Sequence, residues 1–208
     1  SAVEVISPIA GLAPPPPGPP RAKPTRDPSR LHQEIKAALF ADIVGYSKLA
    51  ESEIPAYLEH FMGKVGELCN QSPHAPEVRN TWGDAFYFVF DSVHDAGLFA
   101  LSLREIVADT DWRALGFSRS LRIRIALHAG PVFPCRDPVT GQDTYTGSHV
   151  SRTARIEPIA EENQIFASQS FAALAASNDV AGLKFEYAGE RPLAKNYGTD
   201  RLFILHPA

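Results

Sequence analysis

The spacing of apolar residues switches repeatedly between strand-like and helix-like periodicity, and this alternation is the feature that most constrains the fold. Continuous or alternating apolar residues are typical of strands, and apolar residues three and four apart are typical of a helix face. In chain order the pattern predicts a strand over 35–44, a helix over 51–71, strands over 77–82 and 85–90, a helix over 92–109 and a strand over 121–128.

This β-α-β-β-α-β order predicts a ferredoxin-like α+β core, in which helices cover one side of an antiparallel sheet. Only Gly83 and Asp84 separate the second and third strands, so these two strands form a tight hairpin. Arg122 and Arg124 alternate with apolar residues and are expected to point outward, as in a sheet covered on one face. A C-terminal αβ extension follows, with strands near 130–135 and 164–167, helices near 147–157 and 168–177, and closing strands near 183–190 and 201–206.

Proline is concentrated at the N-terminus, where nine of the 18 prolines fall within the first 30 residues. Since proline lacks the N–H group that helices and sheets use, residues 1–33 are predicted to be a flexible tail. This tail serves either as a linker or as a docking peptide for an aromatic groove. The folded domain over 34–208 has 16 Lys and Arg against 22 Asp and Glu, which argues against a nucleic-acid partner.

The cysteine count and the hydropathy pattern favour a cytoplasmic protein. Cys69 and Cys135 are too few for the disulfide framework of a small secreted domain. No apolar run approaches the roughly 18 residues of a membrane span, and the first residues lack the basic segment of a signal peptide. We therefore expect a reducing, cytoplasmic setting and no membrane partner.

Two carboxylates lie where the predicted topology brings loops together. Asp42 ends the first strand, Asp84 lies in the hairpin, and these strands are expected to be neighbours in the sheet. Two such oxygen ligands suit one or two Mg²⁺ ions, although Asp42 could equally cap a loop and Asp84 fill a turn. The segment Gly45–Ser47 precedes a helix start, where free N–H groups can hold a triphosphate.

Four ordered motifs resemble those of class III nucleotide cyclase domains: FADIVGYS (40–47), NTWGDAFYFVF (80–90), RIALHAGPV (124–132) and YTGSHVSRTARIEP (145–158). This resemblance implies a class III cyclase fold and a head-to-tail homodimer. It implies conversion of a nucleoside triphosphate to the 3′,5′-cyclic monophosphate and pyrophosphate. In that family the active sites lie at the dimer interface, with metal ligands from one subunit and base-reading residues from the other.

The resemblance also implies roles for individual residues. Asp42 and Asp84 match the aspartates that bind two Mg²⁺ or Mn²⁺ ions, and the backbone of Ile43 matches a further metal contact. Arg155 matches the arginine that stabilises charge on the transferred phosphate. At the position of the asparagine that orients the ribose, this chain has Ser151.

The positions that read the base depart from the family pattern. Asn80 replaces the lysine that reads a purine, and Thr144 replaces its aspartate partner. The phosphate-binding lysine aligns loosely with Tyr197, and Lys195 lies two residues earlier. Because the metal ligands and the arginine are retained, the departures favour a changed substrate over loss of activity.

The changed residues suit a pyrimidine. An asparagine amide both donates and accepts, so Asn80 can pair with the edge of uracil or cytosine. Trp82, together with Tyr46 and Phe86, is expected to narrow the base pocket. The motifs resemble most closely the bacterial pyrimidine cyclases of the Pycsar anti-phage system, with UTP ahead of CTP as substrate. The alternatives are a purine cyclase with an atypical pocket and an inactive nucleotide-binding regulatory domain.

Overall fold

The computed structural model describes residues 32–178 and 180–208; except for residues 32 and 33, the predicted proline-rich tail lies outside them. The strands are β1 Glu34–Ile43, β2 Val78–Trp82, β3 Ala85–Phe90, β4 Ile123–Arg136, β5 Asp143–Thr146, β6 Ile165–Ser168, β7 Leu183–Pro192 and β8 Thr199–Pro207. The α-helices are α1 Ile54–Ala56, α2 Gly63–Gln71, α3 Val93–Ala108, α4 Ser148–Ile156 and α5 Gln169–Ser177. A π-helical segment, Tyr57–Met62, joins α1 to α2.

The sheet is mixed, and its order is β2-β3-β1-β4-β6-β8-β7, with β5 paired to β4. All neighbours are antiparallel except β4 and β6. This confirms the α+β class and the predicted core, in which β1 lies between β3 of the hairpin and β4. The register places Asp42 opposite Ala85 on β3 and opposite Arg124 on β4.

The main core lies between one face of this sheet and helices α2, α3 and α5. Phe86, Phe88 and Phe90 are buried on β3, and the rings of Phe88 and Phe90 pack against Phe99 of α3, with centroids 5.5 and 5.2 Å apart. Strand side chains alternate between the two faces of a sheet. Tyr87 and Val89, which lie between these phenylalanines, therefore point to the other face.

The other face is also covered, which makes the expectation of a single covered face wrong. Helix α4 lies over β1 and β4, and Ile156 joins Ala126 and Phe166 in a separate buried cluster. As a result Arg124 is half-buried and does not point freely into solvent. The predicted break near residue 129 is absent, since β4 continues from Ile123 to Arg136 and then pairs with the unpredicted β5.

Lys36 lies at the start of β1 on the same sheet face as Asp42. Its side chain is only 7 % exposed, and its ammonium nitrogen lies 2.7 Å from Asp91, 2.9 Å from Glu77 and 3.7 Å from Glu34. Burial alone lowers the pKa of Lys36, but the hydrogen bonds to Asp91 and Glu77 outweigh it and hold the pKa above its ordinary value. Lys36 is therefore a charged residue surrounded by compensating carboxylates.

Two further observations concern the setting of the protein. Cys69 and Cys135 are both free thiols. Within the described residues, no helix combines the length and apolarity needed to cross a membrane.

Candidate active site

The structure brings Asp42 and Asp84 together at one edge of the sheet, as predicted. The backbone N–H of Ile43 donates to the carbonyl of Asp84 at 3.3 Å, which ties the end of β1 to the hairpin turn. Gly83 takes the left-handed conformation that this tight turn requires, with φ of 66°. Partial burial and the charge of Asp42 both raise the pKa of Asp84. The two carboxyl groups therefore repel each other when both are ionised.

Arg124 and Glu157 complete this charged cluster, and sequence reasoning missed both. The guanidinium of Arg124 lies 2.7 Å from Asp42 and 3.0 Å from Glu157. Burial raises the pKa of Glu157 to about 7; Arg124 opposes this rise, and the charges of Asp42 and Asp84 add to it. The register between β1 and β4 would have placed Arg124 beside Asp42. The hydrophobic periodicity could not predict the position of Glu157, because a turn after α4 places it beside Arg124.

The cluster has three carboxylates and one guanidinium, so it is deficient in positive charge. Nε of Arg124 and Oε1 of Glu157 are buried and lie 3.0 Å apart, but they are not aligned for a hydrogen bond and have no other partner among the described residues. Carboxylate oxygens and a nearby backbone carbonyl are the donors that Mg²⁺ and Mn²⁺ prefer. The residues present therefore suit a divalent cation held by Asp42 and Asp84, with the Ile43 backbone adjacent.

The loop after β1 forms one wall of the site. Gly45 adopts φ of 77° and leads into a 3₁₀ turn over Tyr46–Lys48. The half-buried ring of Tyr46 packs on Tyr57 with centroids 4.9 Å apart, and the Tyr57 hydroxyl donates to the Gly83 carbonyl at 3.4 Å. Tyr46 thus buttresses the hairpin that contains Asp84.

An open cleft of about 480 Å³ lies beside this loop and carries basic side chains. Lys48, Arg113, Arg119 and Arg122 line it, and Arg122 forms an ion pair with Glu162. This lining suits an anionic ligand, and the binding of a triphosphate by Gly45–Ser47 stays a prediction.

Asn80 and Thr144, the predicted base-reading pair, lie on either side of Tyr87. Asn80 is opposite Tyr87 in the β2–β3 ladder, and Thr144 on β5 hydrogen-bonds with Tyr87. The Tyr87 hydroxyl also donates to the carbonyl of Tyr145 at 3.0 Å. Both residues are therefore neighbours of Tyr87, one across the β2–β3 ladder and one through a hydrogen bond.

The predicted aromatic pocket of Trp82, Tyr46 and Phe86 is wrong. Phe86 is fully buried in the core on the helix side of the sheet, because it alternates with Tyr87 along β3. Trp82 lies on the opposite face and is 63 % exposed. Trp82 therefore cannot form one pocket with Phe86 within a single chain.

Helix α4 presents Ser151 and Arg155, which are one turn apart on the same face. Ser151 is exposed and Arg155 half-buried, and Arg155 has no hydrogen-bond or ion-pair partner in the described part of the chain. Arg152 differs: it lies 2.9 Å from Asp200 and over the ring of Tyr197. Arg155 is thus the arginine of α4 that is available to a ligand.

His128 and His149 anchor the start of α4 to β4, a pairing that sequence reasoning did not foresee. Their rings stack with centroids 5.1 Å apart, and the Nε2 atom of His128 lies 2.8 Å from Nδ1 of His149. Burial lowers the pKa of His128 to about 3, and its other ring nitrogen lies 2.7 Å from the Ser168 hydroxyl. A neutral histidine pair therefore fixes the helix that carries Ser151 and Arg155.

Lys195 lies in a short turn, Ala194–Asn196, with φ of 57° and an exposed side chain. The turn contacts α4, and the hydroxyl of Tyr197 donates to the Ser148 carbonyl at 3.3 Å. The structure therefore places Lys195 close to the first turn of α4, and its binding role stays a prediction.

Comparison with known proteins gives a consistent result. The family model for the adenylate and guanylate cyclase catalytic domain matches residues 30–206. An adenylate cyclase of Neurospora crassa is 30 % identical over 107 residues, which is 44 % of this chain and only 5 % of that protein.

Two solved structures share the fold at low identity. The adenylyl cyclase CyaB of P. aeruginosa has a TM-score of 0.73 at 17 % identity, covering 85 % of this chain and 96 % of that one. The guanylate cyclase domain of RhGC from Catenaria anguillulae, solved with GTP, has a TM-score of 0.69 at 18 % identity, covering 84 % and 97 %.

Proposed function

Because this chain belongs to the adenylate and guanylate cyclase catalytic domain family, we propose that it is a metal-dependent pyrimidine nucleotide cyclase. It converts UTP, and less readily CTP, to the 3′,5′-cyclic monophosphate and pyrophosphate. The observation that carries the proposal is the paired Asp42 and Asp84 carboxylates, whose mutual repulsion calls for a cation. The protein acts as a homodimer with its active sites at the interface.

A divalent cation held by Asp42 and Asp84 would act as a Lewis acid, which lowers the pKa of the ribose 3′-hydroxyl and neutralises triphosphate charge. The 3′-oxygen forms a bond to the α-phosphorus while the bond from that phosphorus to the pyrophosphate oxygen breaks. The hydroxyl proton passes to solvent or to a substrate phosphate oxygen. The positively charged guanidinium of Arg124 holds the Asp42 carboxylate in position, with Nη2 of Arg124 2.7 Å from Oδ2 of Asp42.

Residues of α4 act on the phosphate and the sugar. The guanidinium of Arg155, which has no partner among the described residues, stabilises the charge that develops on the transferred phosphate. Ser151, one turn earlier, donates to a ribose oxygen. Lys195 and the basic cleft that includes Lys48 attract the β- and γ-phosphates. The His128–His149 pair keeps α4 fixed against β4 while these contacts form.

Asn80, Thr144 and Trp82 determine the preference for a pyrimidine. Asn80 and Thr144 can both donate and accept hydrogen bonds without charge. Asn80 is opposite Tyr87 in the β2–β3 ladder, and Thr144 hydrogen-bonds with Tyr87. The exposed indole of Trp82 offers an apolar surface to the base or to the partner subunit. Tyr46 contributes indirectly, because it supports the Gly83 turn.

The biological role that accompanies this proposal is synthesis of a cyclic pyrimidine second messenger in cytoplasmic bacterial anti-phage defence. Its support is the resemblance of RNTWGD, GSHVSRTARIEP and PLAKNYGT to the Pycsar cyclases. The matched curated relative extends far beyond the region that this chain spans.

A purine cyclase is the second candidate function. The specific observation in its favour is that the similar proteins are described as adenylyl or guanylyl cyclases. Asn80 and Thr144 then read a purine through a different hydrogen-bond pattern.

Competition among substrates tests the proposal. Purified protein is incubated with equimolar ATP, GTP, CTP and UTP and with Mn²⁺, and the cyclic products are identified by mass spectrometry. We expect cyclic UMP to dominate and cyclic CMP to follow. Exclusive formation of cyclic AMP or cyclic GMP supports the purine alternative. Tight triphosphate binding without any cyclic product supports an inactive regulatory domain.

A further inference from the structure

A second group of metal-ligating side chains lies far from the proposed active site. His74 belongs to the segment between α2 and β2, and His94 and Asp95 belong to the first turn of α3. Helix α3 follows the end of β3, whereas Asp84 precedes its start. A six-residue strand separates the two places by roughly 20 Å, so this group is independent of Asp42 and Asp84.

The three side chains converge. Nδ1 of His74 lies 2.7 Å from Oδ1 of Asp95, and Nδ1 of His94 lies 3.7 Å from the same oxygen. The two imidazole rings are perpendicular, with centroids 5.1 Å apart. In the part of the chain that the structure describes, this is the one group of three His, Cys, Asp or Glu side chains whose ligand atoms lie within 4.8 Å of one another.

The local structure orients the carboxylate toward the two histidines. The Ser92 hydroxyl caps α3 by accepting from the Asp95 N–H at 3.0 Å, and it donates to Oδ2 of Asp95 at 2.7 Å. Oδ1 is therefore directed to the histidine side. The contacts with Ser92 therefore hold the Asp95 carboxylate in a fixed orientation.

This donor set selects a particular class of cation. Two imidazole nitrogens and one carboxylate oxygen are a typical Zn²⁺ set, with metal–ligand distances of about 2.0–2.2 Å. In a tetrahedral site such distances separate the ligands by roughly 3.3 Å, and the observed 2.7 and 3.7 Å lie on either side of that value. Mg²⁺ prefers all-oxygen ligands, so it does not compete well here.

We propose that His74, His94 and Asp95 bind a Zn²⁺ ion that links the segment before β2 to the start of α3. Residues 74 and 94 flank the β2–β3 hairpin, which carries Asn80, Trp82 and Asp84. Closing this 74–94 loop with an ion stabilises the hairpin without contacting the substrate. All three side chains are partly exposed, so the fourth coordination position is accessible to water.

The test measures Zn²⁺ binding in the Asp42→Asn/Asp84→Asn background, which removes the proposed catalytic ligands. Binding is followed by competition with a chromophoric chelator, and the Co²⁺-substituted protein is examined for the intense visible absorption of a tetrahedral site. We expect one equivalent of Zn²⁺. His94→Ala and His74→Gln should each weaken binding by more than about 100-fold. His74→Gln keeps an amide N–H for Asp95, so it tests the imidazole and not the hydrogen bond.

His206→Gln is the matched control, since His206 is a partly exposed histidine that pairs with Glu186 elsewhere. It should leave the affinity for Zn²⁺ unchanged. Circular dichroism verifies that each variant is folded. The proposal is overturned if the background protein binds no Zn²⁺ at micromolar concentration, or if both cluster variants retain its affinity.

Discussion

Strand β1 has a charged cluster at each end of the same sheet face. Each cluster has one cation and three carboxylates, but the carboxylates around Lys36 are on the whole more exposed to solvent than those around Arg124. At one end, Lys36 is nearly buried and lies within 4 Å of Glu34, Glu77 and Asp91. At the other end, Asp42 shares one guanidinium with Glu157 and lies beside Asp84.

The two ends of β1 differ in whether their surroundings favour or disfavour the charged form of the titratable side chains. The carboxylates around Lys36 favour its charged form, so its pKa is raised. At the Asp42 end, burial and neighbouring carboxylates raise the pKa of Asp84 and Glu157, which means that their charged forms are disfavoured. The Lys36 end is a satisfied ion cluster, whereas the Asp42 end is suited to an additional cation.

The largest expected effect is on activity at the Asp42 end. Asp84→Asn keeps the size and polarity of the side chain but removes a charge that we propose holds the cation. We expect cyclic nucleotide production to fall by more than about 100-fold, because loss of groups that merely orient metal ligands already costs 10- to 100-fold. Initial rates with Mn²⁺ provide the measurement. Retention of wild-type activity would remove Asp84 from the metal site.

The next effect is on stability at the Lys36 end. Lys36→Met replaces the ammonium with an apolar group of similar length and leaves three carboxylates without their common partner. We expect the free energy of unfolding to fall by about 1–2 kcal/mol, less than for a fully buried ion pair, because the three carboxylates left behind are partly exposed. Urea denaturation measures this change. An unchanged midpoint would mean that the carboxylates are fully solvated without Lys36.

In metal-free protein, Glu157→Gln should raise the free energy of unfolding, whereas Lys36→Met lowers it. Since the folded state raises the Glu157 pKa from 4.5 to about 7, the folded protein binds this proton more tightly than the unfolded chain does. The favourable contribution of this bound proton to the stability of the folded protein is fully present below pH 4.5 and is lost as the pH rises toward 7. Removing the carboxylate should therefore stabilise the protein by about 1–2 kcal/mol above pH 7 and have little effect near pH 4.5.

The stability difference between wild type and Glu157→Gln isolates this effect across the pH range. His128 acts in the other direction: its folded pKa is lowered to about 3, so its contribution is lost as the pH falls below 6.5. That contribution is common to both proteins and cancels in the difference. A difference that does not change between pH 4.5 and pH 8 would contradict the charge balance described for the Asp42 end.

The smallest effect is expected for Asp91→Asn. Asp91 is 78 % exposed, so its ion pair with Lys36 is largely screened by solvent, and two other carboxylates remain. We expect a loss of under about 1 kcal/mol and wild-type activity. This variant is the matched control for Asp84→Asn, because both remove one carboxylate from a cluster on the same sheet face. A large loss of activity would show that the two ends are coupled.

Much of the fold was predictable because the spacing of apolar residues and the residue types of turns depend only on short stretches of sequence. The two-residue turn at Gly83 predicted the hairpin, and the β-α-β-β-α-β order predicted that Asp42 and Asp84 meet. The unpredicted parts depend on distant packing. Arg124 alternates like a solvent-facing residue, yet α4 and the turn after it cover that face and bring Glu157 to it.

The substrate pocket was harder to predict for a related reason. Trp82, Tyr46 and Phe86 are close in sequence or motif, but strand alternation sends Phe86 into the helix-side core. Asn80 and Thr144 are 64 residues apart in the chain and are brought beside Tyr87 only by the β2–β3 and β4–β5 ladders. Their roles in reading the base stay predictions, as do those of Ser151, Arg155 and Lys195.

Thermal unfolding with Mn²⁺ and 3′-deoxy-UTP tests most directly the claim that the Asp42 end binds a cation together with a pyrimidine triphosphate. This nucleotide lacks the attacking hydroxyl, so binding is measured without turnover. We predict that the two together stabilise wild type by about 2.7 kcal/mol at 100-fold excess over the dissociation constant, a midpoint rise of roughly 5–10 °C. Asp42→Asn/Asp84→Asn should show no rise. An equal rise in that double variant, or a larger rise with 3′-deoxy-ATP in wild type, would contradict the claim.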